Sequence, residues 1–175
     1  KKDRIYAVIG ANGSGKSTFA RILAGTVLAD QKGAVFDKPY RTGYMPQKSY
    51  AFHMSTRRNI LLGGSERKRA ETLMQQLGID HLANRRADRL SGGETARMAL
   101  ARTLMRRHDI VFLDEPTAAM DISSAALAEE LMLQYRRENG NTMVIVTHSL
   151  RQARCLADEV LFFHQGRILE AGKAK

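Results

Sequence analysis

The apolar positions of this 175-residue chain fall into two β-rich ends and a helical middle. Ile5–Ile9 is a short apolar run that enters a glycine cluster at Gly10–Gly15. Ser17–Ala24 then takes helical spacing, with Phe19, Ile22 and Leu23 on one face, and stops at Gly25. Strand, glycine-rich turn and helix together open an α/β unit. Gly33–Asp37 and Arg41–Met45 read as short strands around a turn at Pro39. From Ser55 to Arg107 the period becomes helical. Glu66–Leu77 sets Ala70, Leu73, Met74 and Leu77 on one face, and a second helix starts at Ser91 or Gly92 and runs to about Arg107. Ile110–Leu113 is apolar throughout, as expected of a central strand covered on both faces. Ser123–Glu138 reads as a helix, Thr142–Val146 as a buried strand and Leu150–Leu156 as a helix. Val160–Phe163 and Arg167–Glu170 read as a hairpin across Gln165-Gly166.

This pattern predicts an α/β chain whose mainly parallel sheet core is interrupted by a helical subdomain. Residues 1–47 and 108–175 are assigned to the core, and 48–107 to the insertion. The composition, 43% hydrophobic and 26% charged, excludes a disordered chain. A single cysteine, Cys155, excludes a disulfide framework or a multi-cysteine metal site, and it reads as a small core residue. His53, His81, His108 and His164 are scattered without ligand spacing. No apolar run has the ~18–20 residues of a membrane-spanning helix.

The charge is less ordinary. Lys and Arg number 28 against 18 Asp and Glu, a formal net charge of +10. Between Ser55 and Arg107 there are 12 basic and five acidic residues, so +7 of that excess lies in the helical middle. Such a balance suits an anionic partner: nucleic acid, lipid headgroups or a phosphorylated ligand.

The chemistry is concentrated at strand ends. Gly10-Ala11-Asn12-Gly13-Ser14-Gly15-Lys16-Ser17 fits G-x-x-x-x-G-K-[ST] in full, with a strand before it and a helix after. Consecutive backbone N–H groups in such a loop form a concave anion site at the positive end of the helix. Gly10 to Thr18 is therefore the candidate nucleotide-binding segment. Lys16 would reach the β- and γ-phosphates, and the Ser17 hydroxyl would ligate Mg²⁺. Ile110–Leu113 delivers two acids, Asp114 and Glu115, of which Asp114 would hold the magnesium shell and Glu115 would polarise an attacking water.

With these motifs in place, Leu90-Ser91-Gly92-Gly93-Glu94 resembles the L-S-G-G-Q signature of the ATP-binding cassette (ABC) ATPases. The order of the remaining motifs is similar too. Gln47 in Gly43-Tyr44-Met45-Pro46-Gln47 resembles the Q-loop glutamine, Ala118-Ala119-Met120-Asp121 the D-loop, and His148 in Val146-Thr147-His148 the switch histidine. The resemblance runs from about Ile5 to Gly172 and implies a P-loop NTPase fold, ATP with Mg²⁺, and a head-to-tail dimer with two composite sites. It implies further that Gln47 contacts Mg²⁺ and the attacking water, so that Gln47, Glu115 and His148 form the catalytic set. Ser17, Gln47 and Asp114 would be the metal group. Ser91, Gly92 and Gly93 would touch the γ-phosphate of ATP held by a second copy, and Asp121 would lie across that interface.

Two departures stand out. Glu94 replaces the commoner Gln and is given no chemistry. Family members also carry strands upstream of the phosphate loop, including an adenine-stacking aromatic residue. Tyr6 is too close to the loop for that task, so the chain is expected to be an N-terminally incomplete cassette. The resemblance makes it the energy-coupling subunit of a membrane transporter, peripheral on the cytoplasmic face, with separate transmembrane subunits and a solute-binding protein as partners. A separate small ATPase chain favours an importer, and the Glu94 signature resembles that of metal-oxyanion (tungstate) importers. The alternative, a soluble ABC-type ATPase acting on DNA or the ribosome, is suggested by the charge. It lacks support from coiled-coil arms, zinc cysteines or a second cassette, so no nucleic acid partner is expected.

Overall fold

A computed structural model describes residues 2–29, 36 and 39–174. Its elements are β1 (Ile5–Ile9), α1 (Lys16–Leu23), β2 (Thr42–Met45), α2 (Thr56–Leu61), α3 (Arg67–Gln76) and α4 (Gly92–Leu104). They continue with β3 (Ile110–Asp114), α5 (Ile122–Asn139), β4 (Thr142–Val146), α6 (Leu150–Leu156), β5 (Glu159–His164) and β6 (Arg167–Lys173). Short 3₁₀ turns at Asp80–Leu82 and Ala87–Arg89 separate α3 from α4. The strand expected over Gly33–Asp37 lies outside the described residues except for Phe36, which packs against the core of the sheet.

Two compact units account for the chain. The first is Lys1–Tyr44, His108–Glu115 and Asn139–Lys175, and the second is Met45–Arg107 with Pro116–Glu138. In the first unit the strand order is β2-β3-β4-β1-β5-β6. The pairs β3–β4, β4–β1 and β1–β5 are parallel, and β5–β6 is the antiparallel hairpin read from the sequence. Val8, Phe112, Val144 and Val146 on the sheet and Ala20 and Ala24 of α1 or its cap form the buried core with Phe163, whose ring lies 5.0 Å from that of Phe19.

The register of this sheet positions the chemistry. Val146 is level with both Asp114 and Val8, so β3, β4 and β1 end at one edge. At that edge the chain leaves β1 into the glycine loop, β3 into Glu115 and β4 into Thr147-His148. Ligand-binding segments of parallel α/β sheets gather at the carboxyl ends of strands for this reason.

The second unit is helical. α2, α3 and α4 bury Ile60, Leu73, Met74, Leu77, Met98, Leu100 and Leu104. α5 groups with them, whereas strand–helix alternation had placed residues 108–175 wholly in the core. Specific side chains account for this grouping. The Tyr135 hydroxyl donates to the Arg106 carbonyl at 2.6 Å, Gln76 donates to Gln134 at 2.9 Å, and the Arg69 guanidinium lies 5.9 Å over the Tyr135 ring. Cys155, expected in a core, is exposed, because α6 turns Gln152, Ala153 and Leu156 inward instead. None of the described helices is long and apolar enough to cross a membrane.

Candidate active site

In the first unit the glycine loop turns from β1 into α1 through left-handed backbone. Gly13 and Gly15 have φ of 75° and 98°, and Gly15 is the left-handed N-cap of α1 with no side-chain cap bond. That leaves the first N–H groups of α1 directed into the loop. Gly10 is required for a different reason, since a Cβ there would overlap the Phe163 carbonyl oxygen of β5. The β5–β6 turn braces the loop from the same side, with Gly166 N–H donating to Ser14 O at 2.8 Å. Lys16 is 5% exposed, and its ammonium donates to the Gly10 and Ala11 carbonyls, both at 2.8 Å. The positive head is thus held over the loop. Ala11, Asn12, Gly13 and Thr18 are exposed, Ser17 is half-buried, and the buried Ser14 hydroxyl has no partner among the described residues.

Asp114 closes β3 and is 2% exposed. Its Oδ2 accepts from the Tyr44 hydroxyl at 3.4 Å, while Oδ1 has no hydrogen-bond partner among the described residues. Burial, then the Asp114 charge, pushes the Tyr44 phenol up to about 12, so it stays a donor. A buried carboxylate with an orphan oxygen near a hydroxyl-bearing phosphate loop suits a hard cation. Among the described residues no group of three or more His, Cys, Asp or Glu could hold a metal alone. Mg²⁺ fits such a setting, because it commonly uses one or two carboxylates and completes its shell with phosphate oxygens and water.

Glu115 adopts φ 50°, the left-handed region that is costly for a residue with a Cβ. It is held there by its N–H, which donates to Val146 O at 2.9 Å. His148 Nε2 stands 3.2 Å from Glu115 Oε1, close enough for a charge contact but without the alignment of a hydrogen bond. The Glu115 side chain is 10% exposed and that of His148 47%. Burial raises the Glu115 carboxyl above its ordinary value, and Asp114 adds to this, while His148 and Lys16 oppose it. An acid raised in this way is suited to accept a proton. The first unit therefore gathers the phosphate loop, Asp114, Glu115 and His148.

Gln47, Ser91–Gly93 and Asp121 belong to the second unit. Gln47 follows β2 in a bend and is exposed. Ser91 is the N-cap of α4, and its hydroxyl accepts from Glu94 N–H at 3.3 Å while Glu94 Oε2 accepts from Ser91 N–H at 2.7 Å. The departure at Glu94 is thus half of a reciprocal capping box. Gly93 abuts the D-loop segment, where a Cβ would come within 3.0 Å of the Ala119 carbonyl oxygen. Asp121 accepts from Ser123 and Ser124 hydroxyls and from Ser124 N–H, which hold its carboxyl far below the usual range. Its local task is to cap α5.

The cap makes a testable distinction. The Ser91 N–H bond lowers the Glu94 carboxyl below its ordinary value. Its stabilisation is therefore full above the unfolded pKa and is lost as pH falls through the folded one. Near pH 7 Glu94→Gln, which keeps a capping partner but not the charge, is expected to lower the thermal midpoint less than Glu94→Ala, which lowers it by a few degrees. In thermal scans below about pH 4 the native chain should fall to the midpoint of Glu94→Gln.

The sequence reading missed three residues here. Tyr44 touches Asp114 across 70 positions. Asn59, fully buried on α2, donates to Phe52, Met54 and Ser55 carbonyls and accepts from Phe52 N–H. Arg102 donates to Tyr50 O at 2.9 Å and lies 5.5 Å over the Phe52 ring, so these two residues fix the segment after Gln47. An amide directly before Ile60-Leu61 in α2 was the available signal for Asn59.

A nucleotide loop at the carboxyl edge of a parallel sheet, with paired acids and a histidine on neighbouring strands, defines a P-loop ATPase. The chain belongs to the ABC transporter family, whose model matches residues 1–118, and is one of its ATP-hydrolysing subunits. It is 35% identical to the tungstate uptake system ATP-binding protein TupC of Peptoclostridium acidaminophilum, over 96% of this chain and 85% of that one. It is 39% identical to the molybdate/tungstate import ATP-binding protein WtpC of Archaeoglobus fulgidus, over 98% and 79%. A solved dimeric ATP-binding cassette in a post-hydrolysis state, bound to ADP and phosphate, shares the fold. It superposes with a TM-score of 0.90 over 100% of this chain and 87% of its own, at 23% identity.

Proposed function

We propose that this chain powers solute import through separate membrane subunits by closing on ATP as a head-to-tail dimer and reopening after hydrolysis. The observation that carries this reading is the alignment of Asp114, Val146 and Val8, which puts phosphate loop, acids and histidine at one sheet edge. The loop N–H groups and Lys16 bind the triphosphate of one nucleotide. Ser91, Gly92 and Gly93, at the positive end of α4, meet the γ-phosphate of the partner's nucleotide. Lys16 and Ser91 of one chain therefore serve different nucleotides. Ser17 and Asp114 would hold Mg²⁺, with Gln47 the further ligand that the Q-loop resemblance implies, and the bound ion would supply Lewis-acid neutralisation of the phosphate oxygens. Glu115 accepts a proton from water as the water oxygen bonds to the γ-phosphorus and the bond to the β-phosphate oxygen breaks, releasing ADP and phosphate. His148 holds the γ-phosphate and restrains Glu115, and Asp121 borders the dimer interface.

Metal oxyanions are the solute class that the relatives named for tungstate and molybdate support. The assembly then includes transmembrane subunits and a solute-binding protein, with this chain on the cytoplasmic face. Relatives named for Fe³⁺ and zinc import, 34% and 36% identical, indicate that solute choice resides in the partner chains. Affinity capture of the native protein from detergent-solubilised membranes, read by mass spectrometry, tests this. Recovery of a multi-span membrane protein with a solute-binding protein that binds tungstate supports the reading. Recovery of ribosomal or DNA-repair proteins with no membrane partner overturns it.

A further inference from the structure

Asp114 is buried, and its two oxygens are treated differently by the fold. Oδ2 accepts from the Tyr44 hydroxyl, whereas Oδ1 meets no donor among the described residues. A buried carboxylate left half-satisfied is unfavourable unless a cation or donor arrives. Tyr44 lies on β2, next to β3 in the sheet, and its ring packs against the core formed by Val8, Phe112 and Val146. The ring position is thus set by packing, and the hydroxyl at its end is aimed at a fixed place. Tyr44 is half-buried, and its hydroxyl meets one particular oxygen of Asp114, at 3.4 Å.

We propose that Tyr44 is a positioning residue for the cation that accompanies ATP: its hydroxyl holds Asp114 by Oδ2 and so reserves Oδ1 for Mg²⁺. The proposal rests on the reading of Asp114 as the magnesium carboxylate. The described residues contain no cluster of acids that could cage the ion. Asp114 is the one carboxylate in the proposed metal group, so its orientation bears directly on the ion. Groups that hydrogen-bond a metal ligand fix its geometry, and their loss typically weakens metal affinity by about 10–100-fold.

The test is Tyr44→Phe, which removes one oxygen and keeps the packed ring. ATP affinity is measured by calorimetry for the native chain and the variant, in EDTA and in excess Mg²⁺, and the ratio of the two affinities is the Mg²⁺ enhancement. The variant is expected to match the native chain in EDTA and to lose about tenfold of the enhancement. In an Asp114→Asn background the same Tyr44→Phe change is expected to have no further effect, because the two residues act as one unit. An undiminished enhancement in Tyr44→Phe overturns the role of Tyr44 while leaving Asp114 intact. An equal loss in EDTA and Mg²⁺ also overturns it, since that marks a general effect on folding or on the loop. If the native chain shows no Mg²⁺ enhancement, the Asp114 reading fails and the proposal falls with it.

Discussion

Glu115→Gln is expected to bind ATP as the native chain does and to hydrolyse it about 10²–10⁴-fold more slowly, the range that a positioned general base contributes. Binding is expected to survive because the groups proposed to hold phosphate are the loop N–H groups and Lys16, whose ammonium is placed by the Gly10 and Ala11 carbonyls. Glu115 is held by Val146 O and faces His148 instead. With hydrolysis removed, the closed dimer accumulates, and light scattering should show it only when ATP is present. Native turnover in Glu115→Gln would remove Glu115 from its role.

The same substitution carries a stability signature. Burial raises the Glu115 carboxyl, so the folded state binds its proton more tightly than the unfolded chain does. Stability contributed by this group is present below the unfolded pKa and is lost as pH rises through the folded one. Glu115→Gln, which never ionises, should therefore have a higher thermal midpoint than the native chain at pH 7. The difference should close near pH 4, around the ordinary glutamate value. A catalytic residue that costs the fold stability is common where a strained or buried group is kept for function.

Ser91→Arg is expected to abolish turnover while leaving ATP binding by the single chain unchanged. The substitution removes the hydroxyl that caps α4, costing about 1 kcal/mol of stability, which a folded domain tolerates. It also places a long cationic side chain where the partner's γ-phosphate is proposed to dock. Ser91→Ala separates the two effects, since it loses the cap without adding bulk, and its turnover should fall far less. Equilibrium binding with a fluorescent ATP analogue and a phosphate-release assay read both quantities. Loss of ATP binding by the lone Ser91→Arg chain would mean that Ser91 serves its own chain's nucleotide and that the two-chain site is wrong.

Much of the first unit was legible in sequence because its chemistry is local. The phosphate loop lies between a strand and a helix within 20 residues, and Asp114-Glu115 and His148 each end an apolar run that could only be a buried strand. What was not legible depends on side chains that meet across long separations. The placement of α5 follows from Tyr135 reaching the Arg106 carbonyl, and no periodicity encodes that bond. Tyr44 and Asp114 are likewise neighbours only once β2 and β3 lie in one sheet. Glu94 is a different case. Ser91-x-x-Glu94 is the sequence form of a capping box, so its structural task is readable from the spacing alone. Cys155 was expected in a core as a residue of an amphipathic helix, and the inward face of that seven-residue helix went to its neighbours.

Each active site is proposed to be shared between two copies of the chain, and mixing two inactive variants tests this. Lys16→Ala lacks the phosphate-binding ammonium, and Ser91→Arg lacks the signature contact. In a head-to-tail pair containing one of each, one site carries both defects and the other carries neither. ATPase activity, absent from either variant alone, is expected to return on mixing to about a quarter of the native value, as random pairing with one intact site in two requires. A mixture that stays inactive at every ratio, while both variants remain folded and Ser91→Arg still binds ATP, would contradict it.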